Sequence, residues 1–236
     1  TAATFGDDRP LPPAWSLSAF RIRHLEQGQA GTCWVHSAVQ AFEVLTASQG
    51  EYVPVPLSRM MVAYQGTVIM ADGGRRPNPS DGGYVSAAFQ AMADEPTGAG
   101  VCHDEIWPYS DSRSELAKAP SDRAKADAAM NRVHQVSVIQ PLGEAVQRAL
   151  YNGHPVGIGI WWPYGWDQQG ATVFDSIGGG TFGHALTIVG WRTVAGQIQW
   201  QIDNWHGLLY RPLPANEASA VPNYKPIQAD RTSDFW

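Results

Sequence analysis

The sequence lacks the features that mark membrane-spanning, nucleic-acid-binding and metal-binding proteins. It contains no uninterrupted apolar run long enough to span a bilayer. Its net charge of −6 leaves no basic footprint for nucleic acid. The histidines and cysteines are scattered, without the short spacings typical of metal ligands. We therefore expect no membrane contact, no nucleic-acid partner, no metal and no cofactor.

Cysteine is also scarce. The 236 residues include two cysteines, Cys33 and Cys102, which allow at most one disulfide. This count favours a reducing compartment inside the cell or the interior of a particle. The first residues are acidic and proline-rich and do not form a signal peptide, and they lack an initiator Met. We expect an upstream segment that was either cleaved or left out.

The hydrophobic content is high enough for a substantial core. Hydrophobic residues make up 44% of the chain, which suits one large domain or two closely packed lobes. Apolar side chains recur at helical spacing from Thr32 onward, with Thr32 as a plausible N-cap and Gly50 as a stop. Cys33 then lies in the first helical turn, where the N-terminal end of a helix lowers the pKa of a thiol.

Two strands are predicted near the C-terminal end, over 184–191 and 197–204, joined by a five-residue loop. Antiparallel pairing about Val194 places His184 opposite Asn204, with Cβ atoms about 4.5–5.5 Å apart. An imidazole held by an amide can take a proton from a thiol and later protonate a leaving group. Further helices are predicted over 84–93, 121–134 and 142–151, a buried strand over 155–162, and loops over 71–83 and 163–183.

Gln27 and Gly31 precede the thiol and have separate expected roles. Gln27 can donate its side-chain N–H to a developing oxyanion, together with the backbone N–H of Cys33. Gly31 has no side chain and would let the backbone of a substrate approach closely.

Four motifs, in this order, resemble those of the papain-like cysteine proteases, which include the cathepsins. They are QGQAGTCW (27–34), DGGY (81–84), HALTIVGW (184–191) and NWHG (204–207). The resemblance covers roughly residues 10 to 210. It implies an α+β fold of two lobes, helical over about 10–115 and antiparallel and β-rich over about 116–210, with an active-site cleft between them. Residues 211–236 are predicted to be an extended polar tail that docks on the body or on an assembly partner.

The resemblance also assigns roles. Cys33 is the expected nucleophile, His184 the general base and acid, Asn204 the residue that orients His184, and Gln27 the second oxyanion donor. Trp205 is expected to shield the contact between His184 and Asn204 from water. The substrate-binding residues that the resemblance implies are Gly31, Trp34, Gly82, Gly83, Gly183 and Trp205.

The chain departs from the family pattern at three places. Ala30 replaces one cysteine of a family disulfide, and Ser80 stands near where its partner would be. His36 replaces an apolar aromatic residue and is either a satisfied, partly buried histidine or a competing base. The segment NWHG (204–207) differs from the family's Asn-Ser-Trp-Gly segment. The shape of the cleft on the leaving-group side is therefore not predicted.

These features predict a thiol-dependent peptidase that works through an acyl-thioester intermediate. Its partners would be a peptide or protein substrate and a propeptide or protein inhibitor. One alternative is a catalytically retired papain-like fold that serves as a structural or binding component of a larger assembly. A second alternative is an amidase or transpeptidase that acts on peptide or isopeptide bonds.

Overall fold

The computed structural model describes residues 9–50, 55–94, 97–139, 143–163, 180–205 and 224–225. Short 3₁₀ turns at Ser18–Phe20 and Pro79–Asp81 accompany the helices and strands. Along the chain, the helices and strands are β1 (Ala14–Ser16), α1 (Cys33–Gln49), α2 (Arg59–Ile69), α3 (Val85–Met92), α4 (Arg113–Leu116), α5 (Asp122–Ala128), α6 (Glu144–Tyr151), β2 (Val156–Pro163), β3 (Gly180–Val194), β4 (Gln197–Asp203) and β5 (Tyr224–Lys225).

Helix α1 begins and ends where the sequence predicts. Thr32 occupies the N-cap position, and Gly50 ends the helix with φ 66° in the left-handed region that suits glycine. The Thr32 hydroxyl does not cap the helix; it bonds to the Tyr109 hydroxyl at 2.6 Å instead. Because the side chains from 34 to 41 are all buried, α1 is a central helix, and Cys33 is its first residue.

Two hydrophobic cores meet at α1. The first core joins α1, α2 and α3 through residues that include Trp34, Val62 and Ala88. The second core lies under the sheet and includes Trp191 and Trp200. Val44 of α1 also belongs to this second core, so one helix packs on both sides. The molecule is therefore an α+β protein of two lobes, as predicted.

Strand β3 is the centre of an antiparallel sheet. It pairs with β2 through its first half, with β1 through Gly190–Arg192, and with β4 on its other edge. His184 lies in the part of β3 that pairs with β2, opposite Ile160. Pairing with β2 holds the backbone of β3 at His184 in place.

The predicted five-residue loop between β3 and β4 is wrong. The strands continue to Val194 and resume at Gln197, joined by a two-residue turn. Ala195 has φ 50° and Gly196 has φ 78°, a pair of positive values typical of a tight type I′ hairpin turn.

The predicted register of this hairpin is therefore wrong as well. The tight turn places Trp191 opposite Trp200. A β-bulge between Ile188 and Gly190 then shifts the pairing by one residue, which bends the strand and re-aims the side chains that follow. The ladder ends at Thr187 and Asp203, one residue before Asn204.

Other elements differ from the sequence predictions in extent. Helices α3 and α6 agree with the predicted ranges to within two residues, and β2 to within one. Helix α5 is shorter than predicted because the backbone of the following turn pairs elsewhere: the Asn131 carbonyl accepts from Val101, and the Val133 N–H donates to Met92. Helix α2 was not predicted from the sequence; it is capped by Ser58, whose hydroxyl accepts from the N–H of Met61.

Two predicted segments lie mostly outside the described residues: the loop at 163–183 and the tail at 211–236. Of the tail, Tyr224 and Lys225 form β5 and pair antiparallel with Trp200 and Gln201 of β4. In the part of the chain that the structure describes, no helix has both the length and the apolar character needed to cross a membrane.

Candidate active site

The Cys33 thiol lies at the junction of α1 and β3. It is half-buried and packs beside the helical core, which includes Ala185 of β3. Burial raises the pKa of the Cys33 thiol above its ordinary value. Hydrogen bonds from the backbone N–H groups of Ala185, Trp34 and Cys33 itself act in the opposite direction. Because Ala185 directly follows His184 on β3, the thiol lies next to the strand position after His184.

The side chains of His184 and Asn204 are hydrogen bonded, although the predicted register that was to place them opposite each other is wrong. Their Nε2 and Oδ1 atoms are 2.8 Å apart, and the two residues are buried. Asn204 Oδ1 also accepts the backbone N–H of Trp205 at 2.9 Å. Because an amide oxygen only accepts, Nε2 of His184 carries the proton, and Nδ1 then has the lone pair that a general base needs.

Gln27 lies in the loop before the thiol and connects to the segment that follows β4. Its backbone N–H donates to the Trp205 carbonyl at 3.0 Å. Its side-chain Nε2 donates one hydrogen to the Ala30 carbonyl at 2.6 Å, and the amide group has a second N–H. The loop with Gln27 thus lies against the residue next to Asn204.

His36 is a satisfied histidine, and it is fully buried. Its Nδ1 lies 2.8 Å from the Thr32 carbonyl, to which it donates, and its Nε2 lies 3.3 Å from Nη1 of Arg59. Burial and, next, the charge of Arg59 lower the pKa of His36 to about 3, so the ring is neutral. Because Nδ1 is bonded to Thr32 and Nε2 faces the Arg59 cation, neither nitrogen is available to act as a competing base.

Comparison with known proteins decides the family. Residues 18–208, which make up most of the chain, match the papain family of cysteine proteases. The chain belongs to the papain family. Among curated relatives, cathepsin S of Mus musculus is 27% identical over 194 residues, covering 77% of this chain and 50% of the relative. The viral cathepsin of Adoxophyes honmai nucleopolyhedrovirus is 23% identical over 211 residues, covering 85% and 54%.

The chain spans about half the length of the curated relatives it matches. Solved structures share the papain fold. Xylellain, a cysteine protease from Xylella fastidiosa, superposes with a TM-score of 0.75 at 19% identity, over 96% of this chain and 85% of that one. The digestive procathepsin L 3 of Tenebrio molitor gives a TM-score of 0.67 at 17% identity, over 99% and 70%.

Gly31 is a site of close packing between two loops. Its N–H donates to the Ser80 carbonyl at 2.9 Å, and a Cβ at this position would lie 2.7 Å from the same oxygen. A larger residue would push the two loops apart. This contact lies where the papain family resemblance places a disulfide, and Ala30 and Ser80 leave a backbone hydrogen bond there instead.

The other glycines predicted to contact substrate have different surroundings. A Cβ on Gly82 or Gly183 would meet nothing within 4 Å, so both lie beside open space. Gly82 has φ +103°, which favours glycine. A Cβ on Gly83 would lie 2.5 Å from the Trp34 ring, so this glycine is required by packing against that ring.

The two tryptophans predicted to bind substrate offer it almost no surface. Trp34 is 0% exposed and Trp205 is 1% exposed. The prediction that Trp34 contacts substrate directly is wrong, because its ring lies buried beneath Gly83. Trp205 follows Asn204 directly, and its ring centroid lies 5.9 Å from that of His36. Its shielding of the contact between His184 and Asn204 stays a prediction.

Sequence analysis missed Tyr109 and Arg59 as neighbours of the site. The Tyr109 hydroxyl bonds to the Gln27 carbonyl, and Arg59 bonds to the Glu26 carbonyl. A tyrosine in a long loop and an arginine in an unpredicted helix gave no local signal of this proximity. Within the described ranges, no group of three or more His, Cys, Asp or Glu side chains is placed to hold a metal ion.

Proposed function

We propose that the protein is a thiol-dependent peptidase in which Cys33 is the nucleophile and His184 is the general base and acid. Asn204 orients the imidazole, and Gln27 is an oxyanion donor. The observation that carries this proposal is the hydrogen bond from His184 Nε2–H to Asn204 Oδ1. Ala185, the next residue on β3, directs its backbone N–H to the Cys33 thiol.

The first step is attack on a peptide carbonyl. His184 Nδ1 takes the thiol proton, and the Cys33 sulfur forms a bond to the carbonyl carbon while the carbonyl π electrons move to oxygen. The Gln27 side-chain N–H and the Cys33 backbone N–H stabilise this oxyanion. The C–N bond then breaks, the amine leaves with the proton from His184, and an acyl thioester remains. Water activated by His184 hydrolyses the thioester and restores the thiol.

This proposal gives the imidazole a necessary task. Since burial raises the pKa of Cys33, the thiol alone would be largely protonated at neutral pH. A general base beside it supplies the thiolate at the moment of attack. The Nδ1 lone pair that Asn204 leaves on His184 suits this task.

The proposed substrate is an extended peptide whose backbone pairs with Gly82 and Gly83, in the manner of strand addition. Open space beside Gly82 and Gly183 supports this choice. A propeptide or protein inhibitor is a further proposed partner, and the procathepsin L 3 of Tenebrio molitor is a relative in proform. We place the peptidase domain at residues 1–210 and the tail at 211–236.

Labelling with an epoxide-type thiol inhibitor at neutral pH tests the proposal. Stoichiometric modification of Cys33, seen by mass spectrometry and lost in His184→Ala, is expected, together with cleavage of members of a peptide library. An unreactive thiol in folded protein would overturn the enzyme proposal and favour the retired fold. Labelling without cleavage of any peptide would overturn the peptidase assignment and favour an amidase or transpeptidase.

A further inference from the structure

The segment 26–32, here called the oxyanion loop, is held from below by buried polar side chains. Arg59 Nη1 donates to the Glu26 carbonyl at 3.2 Å, at one end of the loop. His36 donates to the Thr32 carbonyl at 2.8 Å, at the other end. Since Arg59 Nη1 also lies 3.3 Å from His36 Nε2, the two side chains form one unit that spans the loop.

Tyr109 contacts the loop at Gln27 and Thr32, near its two ends. Its hydroxyl donates to the Gln27 carbonyl at 2.8 Å and lies 2.6 Å from the Thr32 hydroxyl, which therefore donates to it. The ring packs edge-on against His36 at 4.9 Å between centroids, and the Arg59 guanidinium lies 4.2 Å above it. A phenol held on its edge and its face in this way has little freedom to move its oxygen.

Gln27 is consequently held at three points. Tyr109 binds its carbonyl, the Trp205 carbonyl binds its N–H, and Ala30 binds its side chain. The two backbone bonds set the orientation of the peptide planes on either side of Gln27, and hence the direction of its side chain. An amide that must meet an oxyanion needs such a fixed direction, because catalytic groups lose much of their effect when misplaced by about 1 Å.

We propose that Tyr109, packed on His36 and Arg59, is a positioning residue that aims Gln27 at the oxyanion. This inference rests on the proposed function and adds to it a residue that does not touch the substrate. It also accounts for His36, the histidine one turn after the thiol, as part of the support for the oxyanion loop.

Two reactions of the same thiol separate positioning from general structural support. Peptide hydrolysis passes through an oxyanion, so it depends on Gln27. Alkylation by iodoacetamide forms the S–C bond as the C–I bond breaks at the methylene carbon, and no oxyanion develops. A change that disturbs only the aim of Gln27 slows the first reaction and spares the second.

The test is Tyr109→Phe, which removes the hydroxyl and keeps the ring. We expect kcat for a peptide substrate to fall roughly 10-fold to 100-fold, with little change in KM. The rate of iodoacetamide reaction at Cys33 should stay within about twofold. Tyr64→Phe is the matched control. Tyr64 lies on α2 with its ring under the guanidinium of Arg76, and its substitution should leave both rates unchanged.

A double-mutant cycle with Gln27→Ala shows whether Tyr109 acts through Gln27. In the Gln27→Ala background, Tyr109→Phe should have almost no further effect on kcat. Additive losses, unchanged hydrolysis, or a parallel fall in hydrolysis and alkylation would each overturn the inference. If Tyr109→Phe does not fold, Thr32→Val, which removes the donor to the Tyr109 hydroxyl, should give the same pattern with a smaller effect. A wild-type protein that cleaves no peptide would instead contradict the proposed function.

Discussion

One buried histidine lies beneath the oxyanion loop, and another lies on β3 near its junction with β4. His36 lies beneath the loop, bonded to Thr32 and beside the cation of Arg59. His184 lies at the junction, bonded to the neutral amide of Asn204. The first ring donates from Nδ1 to a backbone carbonyl and faces Arg59 with Nε2, whereas the second donates from Nε2 to an acceptor that sets its tautomer.

The contrast teaches that distance along the chain from a thiol does not select its base. A helical side chain leans back towards the N-terminal turn, and His36 follows this rule by bonding Thr32 four residues earlier. Its burial and the nearby Arg59 keep the ring neutral. His184 is distant in sequence, but it directly precedes Ala185 of β3, which packs in the same core as α1.

The largest expected effect concerns the junction. His184→Ala should lower kcat/KM for peptides by about 10⁴-fold, because the general base and acid is lost. His103→Ala is the matched control, since His103 pairs with Asp127 elsewhere, and its activity should stay near that of the wild type. Steady-state hydrolysis measures both. Substantial peptide hydrolysis by His184→Ala would reverse the roles assigned to the two histidines.

The next effect concerns the stability supplied by His36. Its folded-state pKa of about 3 lies below the ordinary value of 6.5, so the folded protein binds fewer protons between these values. The stability is present above pH 6.5 and is lost as pH falls towards 3, on the order of 4 to 5 kcal/mol in all. Urea unfolding of wild type and His36→Asn across this range should show a smaller acid loss in the variant. Equal acid losses would show that another group is responsible.

A third effect tests how the junction activates Cys33. In the wild type, iodoacetamide should react at neutral pH because His184 accepts the thiol proton. In His184→Ala, the reaction should shift to a pH above the ordinary thiol pKa, because burial raises the pKa of Cys33 and the base is gone. The rate at pH 7 should then fall at least roughly tenfold. The same pH–rate profile in both proteins would contradict the proposed role of the imidazole.

The smallest effect concerns a contact between α1, which follows the oxyanion loop, and β3. Thr187 on β3 donates its hydroxyl to the Ser37 carbonyl of α1 at 2.9 Å, and the Ser37 hydroxyl donates to the Leu186 carbonyl at 2.6 Å. Thr187→Val should lower the free energy of unfolding by about 1 kcal/mol, measured by urea unfolding. Thr193→Val, an exposed position on the same strand, should change it by less than about 0.5 kcal/mol. Equal effects would mean that this contact contributes little.

Local sequence determined the start of α1 and the character of the loop before it. Apolar spacing from 34 onward and Gly50 were sufficient to place Cys33 in the first helical turn, because helix periodicity and the left-handed stop are local properties. Strand alternation and the order of the motifs likewise placed His184 and Asn204 on neighbouring strands, although the loop length and register used to pair them were wrong. These conclusions needed no knowledge of distant neighbours.

Tertiary structure alone decided the register of the hairpin and the surroundings of His36, Trp34 and Tyr109. The bulge between Ile188 and Gly190 and the two-residue turn cannot be read from strand period, since one extra residue shifts every pairing that follows. The neutral state of His36 depends on Arg59 from α2, and the burial of Trp34 depends on the approach of Gly83. Such contacts between distant residues form only when the packed elements bring them together.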